Sequence, residues 1–591
     1  MILENELEVI LKKYKIEPLQ PTLQEILEKK IKNLLKPYIG FSFAIVGAGE
    51  QGSKLLQLIR ESVKVVCFID DEGENIDNIP ILSYESIEKN VNKIDVCIFA
   101  SVLFHKRDSK KIFMLNNKVK LLDFYDVFDN DGMMIRRSFY QYKRGCYENI
   151  IFHRLRYENE KENNLKACYL EHLIYEFLYI KDFVNTFKYI DEYAQAKYKK
   201  ASKYLMLKKD LLAMLNKVKI EIQKRKGKDL FWFWDDQVEY NELQMMPYLT
   251  EMIPNSLFFE KAYTMAPSTA PAMRGIFCGV RRIDNYDVFY EKTSLKNSKL
   301  LQMLNHKGYE FCYCGDSSIQ RTFDDSLCKR GDAVEGWCSS TIRIWEGLCK
   351  CLESDKPILV LVHILIETHA SYMSPFLDKY YFARPYDLDG NDIVLIRNQI
   401  KKSLQYIDEQ QKFYCELLGK KTTKLFMSDH GKILETKEKV YENKMHNVIL
   451  MVLGEKIEPS RYKKVFSFSN LYKLIMLCIE DRVEMLSQVC DDDVALVQDV
   501  DIYNKILVER LIENKIKRQG WGFRAIYGQS DKYVRFRTGE EHYYILPDED
   551  TDLIGEKKYE KRIEYLREKN GSFFIDIENE KKFEYARKLY E

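Results

Sequence analysis

A chain of 591 residues is too long for a single hydrophobic core, so more than one domain is required. Its 92 lysines and arginines balance 91 acids at a formal net charge of +1, which excludes a global electrostatic drive toward nucleic acid or an anionic membrane. The apolar runs fall well short of the roughly 18 residues that a membrane span needs, and residues 1–17 alternate charges with leucine and isoleucine instead of forming a signal-peptide core.

No transmembrane segment and a cytoplasmic protein are therefore expected, with its fourteen cysteines reduced. Residues 1–38 carry apolar side chains at helix spacing, among them Leu7, Ile10, Leu11 and Tyr14. A short apolar strand over 41–46 runs into Gly47-Ala48-Gly49-Glu50-Gln51-Gly52, a helix over 53–59 follows, and a second strand over 63–69 ends at Asp70 and Asp71. Further strands are expected over 95–100 and 119–124. This succession of strand, glycine turn, helix and strand is a doubly wound α/β unit. Gly47, Gly49 and Gly52 give the spacing of a dinucleotide site, with Asp70 about 20 residues further on.

Between 136 and 227, tyrosine-, leucine- and lysine-rich segments over 164–181 and 198–225 predict a helical connector with solvated charged faces. A new strand over 230–234 then ends in Asp235-Asp236, and strands and helices alternate as far as 480. Aromatic, alternating stretches over 523–527, 533–536 and 543–546, followed by a helix over 556–569, predict a small antiparallel sheet in a terminal subdomain, 515–591. Three domains result: 1–135, 136–227 and 228–591. Two Cys-x-Cys pairs, Cys312/Cys314 and Cys349/Cys351, place two thiols on one face of a strand and read as buried rather than metal-binding.

Three features of the last domain carry chemistry. Asp235 and Asp236 follow an apolar strand, at the sheet edge where ligands bind; a carboxylate there reaches a metal, and such a pair also serves as a turn or cap. Ser268 and Thr269 precede an expected helix, as an N-cap or as a nucleophile placed where amides and helix dipole favour an anion. A strand over 425–427 leads to Ser428-Asp429-His430-Gly431, which presents oxygen and nitrogen ligands from one strand end, with Gly431 permitting the turn. Of the nine histidines, His363, His369, His430 and His446 all fall near strand ends here. His363, within its strand, suits burial as well as a substrate contact. His105, His153, His172, His306 and His542 read as ordinary core or surface residues.

In this order the motifs resemble the alkaline phosphatase/sulfatase superfamily over residues 228–591. The strand ending in Asp235-Asp236 is similar to its first metal-ligand motif. Thr269, Pro271 and Gly279 match the nucleophile helix, whose sulfatase form is Cys-x-Pro-x-Arg and then a glycine. Gly308-Tyr309 resembles the pair before a central strand, His369 the substrate-side histidine, and Ser428 to Gly431 the second ligand motif. The stretch 533–546, followed by Asp548 and Asp550, resembles the C-terminal subdomain. Two departures stand out: Thr269 replaces the cysteine or serine that sulfatases convert to formylglycine, and Met273 occupies the arginine position, with Arg274 one place later. Both disfavour sulfate-ester hydrolysis. A threonine nucleophile resembles the phosphoethanolamine transferases and lipoteichoic acid synthases, which are membrane-anchored.

The resemblance implies a divalent metal, zinc or manganese, with one ion favoured over two, held by Asp236 or Asp235 with Asp429 and His430 and contacting Thr269. Glu367 would substitute for the aspartate of two-metal members. Thr269 would form a phosphothreonine intermediate, while His369 and His446 bind phosphoryl oxygens or protonate the leaving group; Lys444 is a second candidate beside His446. The expected function is a phosphotransferase or phosphodiesterase acting on a small-molecule, glycan- or nucleotide-linked phosphoester, with no nucleic-acid partner. A non-catalytic scaffold or sensor of the same fold, and a sulfatase, are the alternatives. The first domain resembles Rossmann-like domains of surface-glycan enzymes, which implies a nucleotide or nucleotide-sugar site at Gly47, Gly49, Gly52 and Asp70, or a scaffold.

Overall fold

The computed structural model describes residues 2–19, 21, 23–71, 76–86, 93–101, 105–115, 117–130, 147–280, 292–315, 322–324, 329–330, 338–369, 372–378, 390–434, 439–490, 492–499, 522–536 and 539–571. The expected start of the connector at 136 lies outside the described residues. The chain divides into two units, one of Leu11–Lys208 with Pro375–Phe382, the other of Met1–Ile10, Lys209–Ser374 and Ala383–Glu591.

The first unit holds a five-stranded parallel sheet built from β1 (Ser42–Val46), β2 (Lys64–Ile69), β3 (Ile81–Leu82), β4 (Val96–Phe99) and β5 (Lys120–Leu122), in the order β3-β2-β1-β4-β5. The central strands β1 and β4 are almost wholly buried, as a parallel sheet covered on both faces requires. The order of strands reverses between β1 and β4, and the glycine loop leaves β1 at that point. Gly47 sits at φ +100°, and a Cβ on Gly52 would lie 2.1 Å from the Gly47 carbonyl oxygen, so the turn is closed by direct backbone packing. The helix starts at Glu50, three residues before the expected 53, because the turn is that tight.

Three helices follow in this unit, Glu148–Asn159, Asn163–Tyr179 and Phe183–Gln195. Asp182 caps the third by accepting from Asn185 N at 2.9 Å. Between the first two, the buried rings of His153 and His172 stack at 4.0 Å. Burial holds His153 well below the ordinary imidazole range and His172 down to about 4. The unfolded chain takes up these protons near pH 6.5 and the folded chain resists them, so stability present above that pH is lost as pH falls toward 4. Thermal melts between pH 7 and 5 are expected to drop by up to about 1.4 kcal/mol per pH unit per histidine, and His172→Phe to flatten the slope by one proton's worth.

In the second unit, an eight-stranded sheet is centred on β6 (Leu230–Asp235). Its other members are β7 (Leu257–Phe259), β9 (Glu310–Cys314), β10 (Lys329–Arg330), β11 (Ile358–Ile364), β12 (Thr423–Met427), β13 (Leu450–Leu453) and β14 (Ser460–Tyr462); β8 (Ala262–Tyr263) pairs separately with β15 (Phe466–Ser467). The order is β10-β9-β11-β6-β12-β13-β7-β14, and β11 and β12 flank β6 in parallel. All six side chains of β6 are buried. Trp232 and Trp234 join Met273 and Phe277 of the helix Thr269–Cys278 in one core, while Phe231 lies on the opposite face beneath the helix Ser340–Glu353. That helix approaches through Gly347, where a Cβ would come within 2.9 Å of Phe231 and 2.7 Å of Val360.

The terminal sheet is antiparallel and four-stranded, β16 (Ala495–Gln498), β17 (Phe523–Tyr527), β18 (Asp531–Phe536) and β19 (Glu541–Ile545), with the helix Glu560–Asn570 after it. One expectation is corrected here. Cys312 and Cys314 do share a strand face, their sulfurs 3.7 Å apart, but Cys349 and Cys351 lie on the helix Ser340–Glu353. An i,i+2 pair of buried residues does not by itself distinguish a strand from a buried helix.

Candidate active site

Asp236 directly follows β6 and continues the side of the strand that carries Trp232 and Trp234, because strand side chains alternate. It thereby faces the start of the helix Thr269–Cys278. The Thr269 hydroxyl lies 3.3 and 3.4 Å from the two Asp236 oxygens and 3.2 Å from His430 Nε2. Ser268 is the residue before the helix, in extended conformation, and its side chain makes no cap bond. Of the two hydroxyls weighed as a cap or a nucleophile, Thr269 is the one at the cluster.

Asp429 and His430 come from the end of β12, the strand beside β6. Asp429 Oδ1 accepts from Gln237 N at 3.2 Å and His430 N at 3.0 Å, while its Oδ2 is buried without a hydrogen-bond partner. The His430 Nδ1–H donates to the Gly431 carbonyl at 2.7 Å, which leaves Nε2 with its lone pair toward the cluster. That Nε2 is 3.6 Å from Asp429 Oδ2 and 3.9 Å from Asp236 Oδ1. One donor atom from each of Asp236, Asp429 and His430 falls within 4.8 Å of the others.

Electrostatics explain why such a cluster suits a cation. Burial disfavours the charge on Asp236, yet the imidazoles of His369, His363 and His430 hold its carboxyl well below the usual range. Burial, then the neighbouring Asp236 charge, pushes Asp429 up. Two buried carboxylates side by side repel, and the orphaned Asp429 oxygen lacks any compensating donor. Oxygen, oxygen and neutral imidazole form a donor set that fits a divalent ion such as zinc or manganese.

The turn glycine acts differently from expectation. Gly431 is not in a left-handed conformation; a Cβ there would lie 2.2 Å from the Lys444 carbonyl oxygen, and Gly431 N donates to Met445 O at 2.9 Å. Backbone presses on backbone, so nothing can give way. Gly431→Ala is expected to destabilise the fold by about 1–3 kcal/mol and to weaken metal binding, as read by thermal melts with and without zinc.

The remaining expected residues sort by face. Asp235 points to the opposite side of the sheet, where its Oδ1 accepts from Gln411 at 2.6 Å, and alternation along the strand is the reason it does not join Asp236. Burial pushes its pKa up to about 8. Glu367 accepts from Ser340 N at 3.0 Å and from the Ser340 hydroxyl, so it caps the helix Ser340–Glu353. Burial holds the pKa of His369 down against the pull of the nearby Asp236 carboxylate. His446 is fully buried, with Nδ1 2.6 Å from the Tyr527 hydroxyl of the terminal sheet; burial keeps it well below the ordinary range. Lys444 lies 3.9 Å from Glu442. Met273 sits in the core, and buried Arg274 donates to the Thr293 hydroxyl at 2.9 Å.

Sequence reasoning missed the role of His363. Its Nε2 is 2.9 Å from Asp236 Oδ2 and its Nδ1 is 3.0 Å from the Tyr313 hydroxyl, so it orients the carboxylate from behind. Its shared parity with Leu359 and Leu361, both in the core facing the helix Thr269–Cys278, was the available signal. In the other unit, Asp70 Oδ2 accepts from Ala48 N at 2.7 Å and so braces the glycine loop, while the space beside Gly49 is open.

The sulfatase family model matches residues 229–479, a span that begins just before β6 and contains every residue of the cluster. By this match the stretch is sulfatase-like. Similar solved structures include the phosphonate monoester hydrolase of Agrobacterium radiobacter, at 14% identity and TM-score 0.44 over 58% of this chain and 94% of that one. A 2-O GAG sulfatase aligns at 11% identity and TM-score 0.42 over 58% and 91%. An alkaline phosphatase superfamily protein from Vibrio parahaemolyticus aligns at 13% and 0.39 over 59% and 92%. No curated protein matches the chain. Among the described residues, no helix is long and apolar enough to cross a membrane.

Proposed function

We propose that the sulfatase-like domain is a metal-dependent phosphodiesterase or phosphotransferase in which Thr269 is the nucleophile and forms a phosphothreonine intermediate. The observation that carries this reading is the Thr269 hydroxyl lying within 3.4 Å of Asp236 and 3.2 Å of His430. Asp236, Asp429 and His430 would hold one divalent ion. Such an ion, when bound, lowers the pKa of the hydroxyl and offsets charge on the phosphoryl oxygens.

The residues divide the remaining work. Thr269 Oγ1, at the first position of its helix, attacks phosphorus in line while the leaving oxygen departs on the far side; water or an acceptor alcohol then displaces the threonine oxygen. Helix amides favour the anionic group beside it. His363 keeps Asp236 ionised and fixed. His369 and His446, whose pKa values burial lowers, bind the phosphoryl oxygens or protonate the leaving group in this reading.

A secondary alcohol in place of cysteine or serine cannot give the formylglycine aldehyde, and Met273 removes the arginine; both support phosphorus over sulfur as the reacting centre. The test is turnover of bis(p-nitrophenyl) phosphate and of p-nitrophenyl sulfate with zinc or manganese supplied. Phosphodiester cleavage is expected; cleavage of the sulfate alone would overturn the assignment. The substrate class is a glycan- or nucleotide-linked phosphoester. Residues 1–135 serve in this reading as a nucleotide or nucleotide-sugar unit or as a scaffold, supported by the open space at Gly49, and 136–227 as the connector to the catalytic 228–591.

A further inference from the structure

Gln237 follows Asp236, and its backbone sits at φ +62°, a left-handed conformation that glycine or asparagine adopts more readily. A glutamine held there needs a reason, and its backbone supplies one. The turn aims Gln237 N–H at Asp429 Oδ1, 3.2 Å away, across from β6 to the end of β12. His430 N occupies the same oxygen at 3.0 Å, so both fixed donors fall on Oδ1 and none on the buried Oδ2. The Gln237 side chain only accepts a long contact, 3.4 Å, from the Tyr372 hydroxyl. Strain of this kind persists only where the surroundings enforce it.

We propose that Gln237 is a positioning residue whose backbone amide, delivered by the left-handed turn, rotates the Asp429 carboxylate so that Oδ2 faces the cation. The inference deepens the metal-site reading above and rests on it. It assigns the work to the amide and not to the side chain.

The test is titration of the metal-stripped full-length protein with cobalt(II), read by its visible absorption band, and with zinc by calorimetry. Gln237→Gly and Gln237→Ala keep the N–H and are expected to bind within about twofold of the parent. Gln237→Val, whose branched side chain resists the left-handed region, is expected to bind about 5- to 30-fold more weakly with an altered band. Gln237→Pro, which has no N–H, should bind more weakly still; if it fails to fold, the glycine and valine pair decides. Wild-type affinity and band in Gln237→Val would overturn the inference, as would a Gln237→Gly variant as weak as Gln237→Val. Asp429→Asn separates the two levels: wild-type binding in that variant would overturn the metal site itself, whatever the Gln237 series gives.

Discussion

Thr269→Ala is expected to abolish phosphodiester turnover, lowering kcat by roughly four to six orders of magnitude, the scale seen when a covalent nucleophile is removed. The substitution deletes the hydroxyl and the methyl group and leaves Asp236, Asp429 and His430 intact, so zinc affinity should change little. This combination separates loss of a nucleophile from loss of the site. Thr269→Ser should retain part of the rate, since it keeps the hydroxyl and loses only the methyl group. Mass spectrometry of the parent protein, quenched during turnover of bis(p-nitrophenyl) phosphate, should find the phosphoryl adduct on the peptide carrying Thr269 and none in the alanine variant. Equal turnover by Thr269→Ala would remove the covalent mechanism.

Much of the scaffold that positions this hydroxyl was legible because the signals are local. An apolar run closing on two acids marks β6, and alternating aromatics mark the terminal antiparallel sheet. Grouping Asp236, Thr269, Asp429 and His430 needed only the order of motifs along the chain. What was not legible depends on contacts between distant segments. Gly431 looks like a turn glycine, yet its small size serves the Lys444 carbonyl pressed against it. Glu367 looks like a spare ligand until the helix Ser340–Glu353 begins on it. Gln237 carries no mark of its left-handed backbone, since glutamine is not a residue type that favours it. His363 was within reach: counting twos along β11 from Leu359 puts it on the face of Trp234, beside Asp236.

The same counting underlies the second large effect, a contrast between neighbours. Asp236→Asn is expected to weaken zinc binding at least about a hundredfold, since even outer residues of metal sites cost ten to a hundredfold, and to abolish turnover. Asp235→Asn should leave both within about threefold. Asp235 faces away from the cluster, and burial pushes its pKa up to about 8, so at pH 7 it is a neutral acid that asparagine imitates. The sign of its pH effect follows. Between its ordinary value of 3.8 and about 8 the unfolded chain has released the proton while the folded chain keeps it, so stability falls by about 1.4 kcal/mol for each pH unit gained. Asparagine removes that slope. Asp235→Asn should therefore melt above the parent at pH 7, with the gap closing toward pH 4, while Asp236→Asn shows metal loss at every pH. If both variants lost zinc equally, the assignment of one acid to the metal and the other to the opposite face would fall.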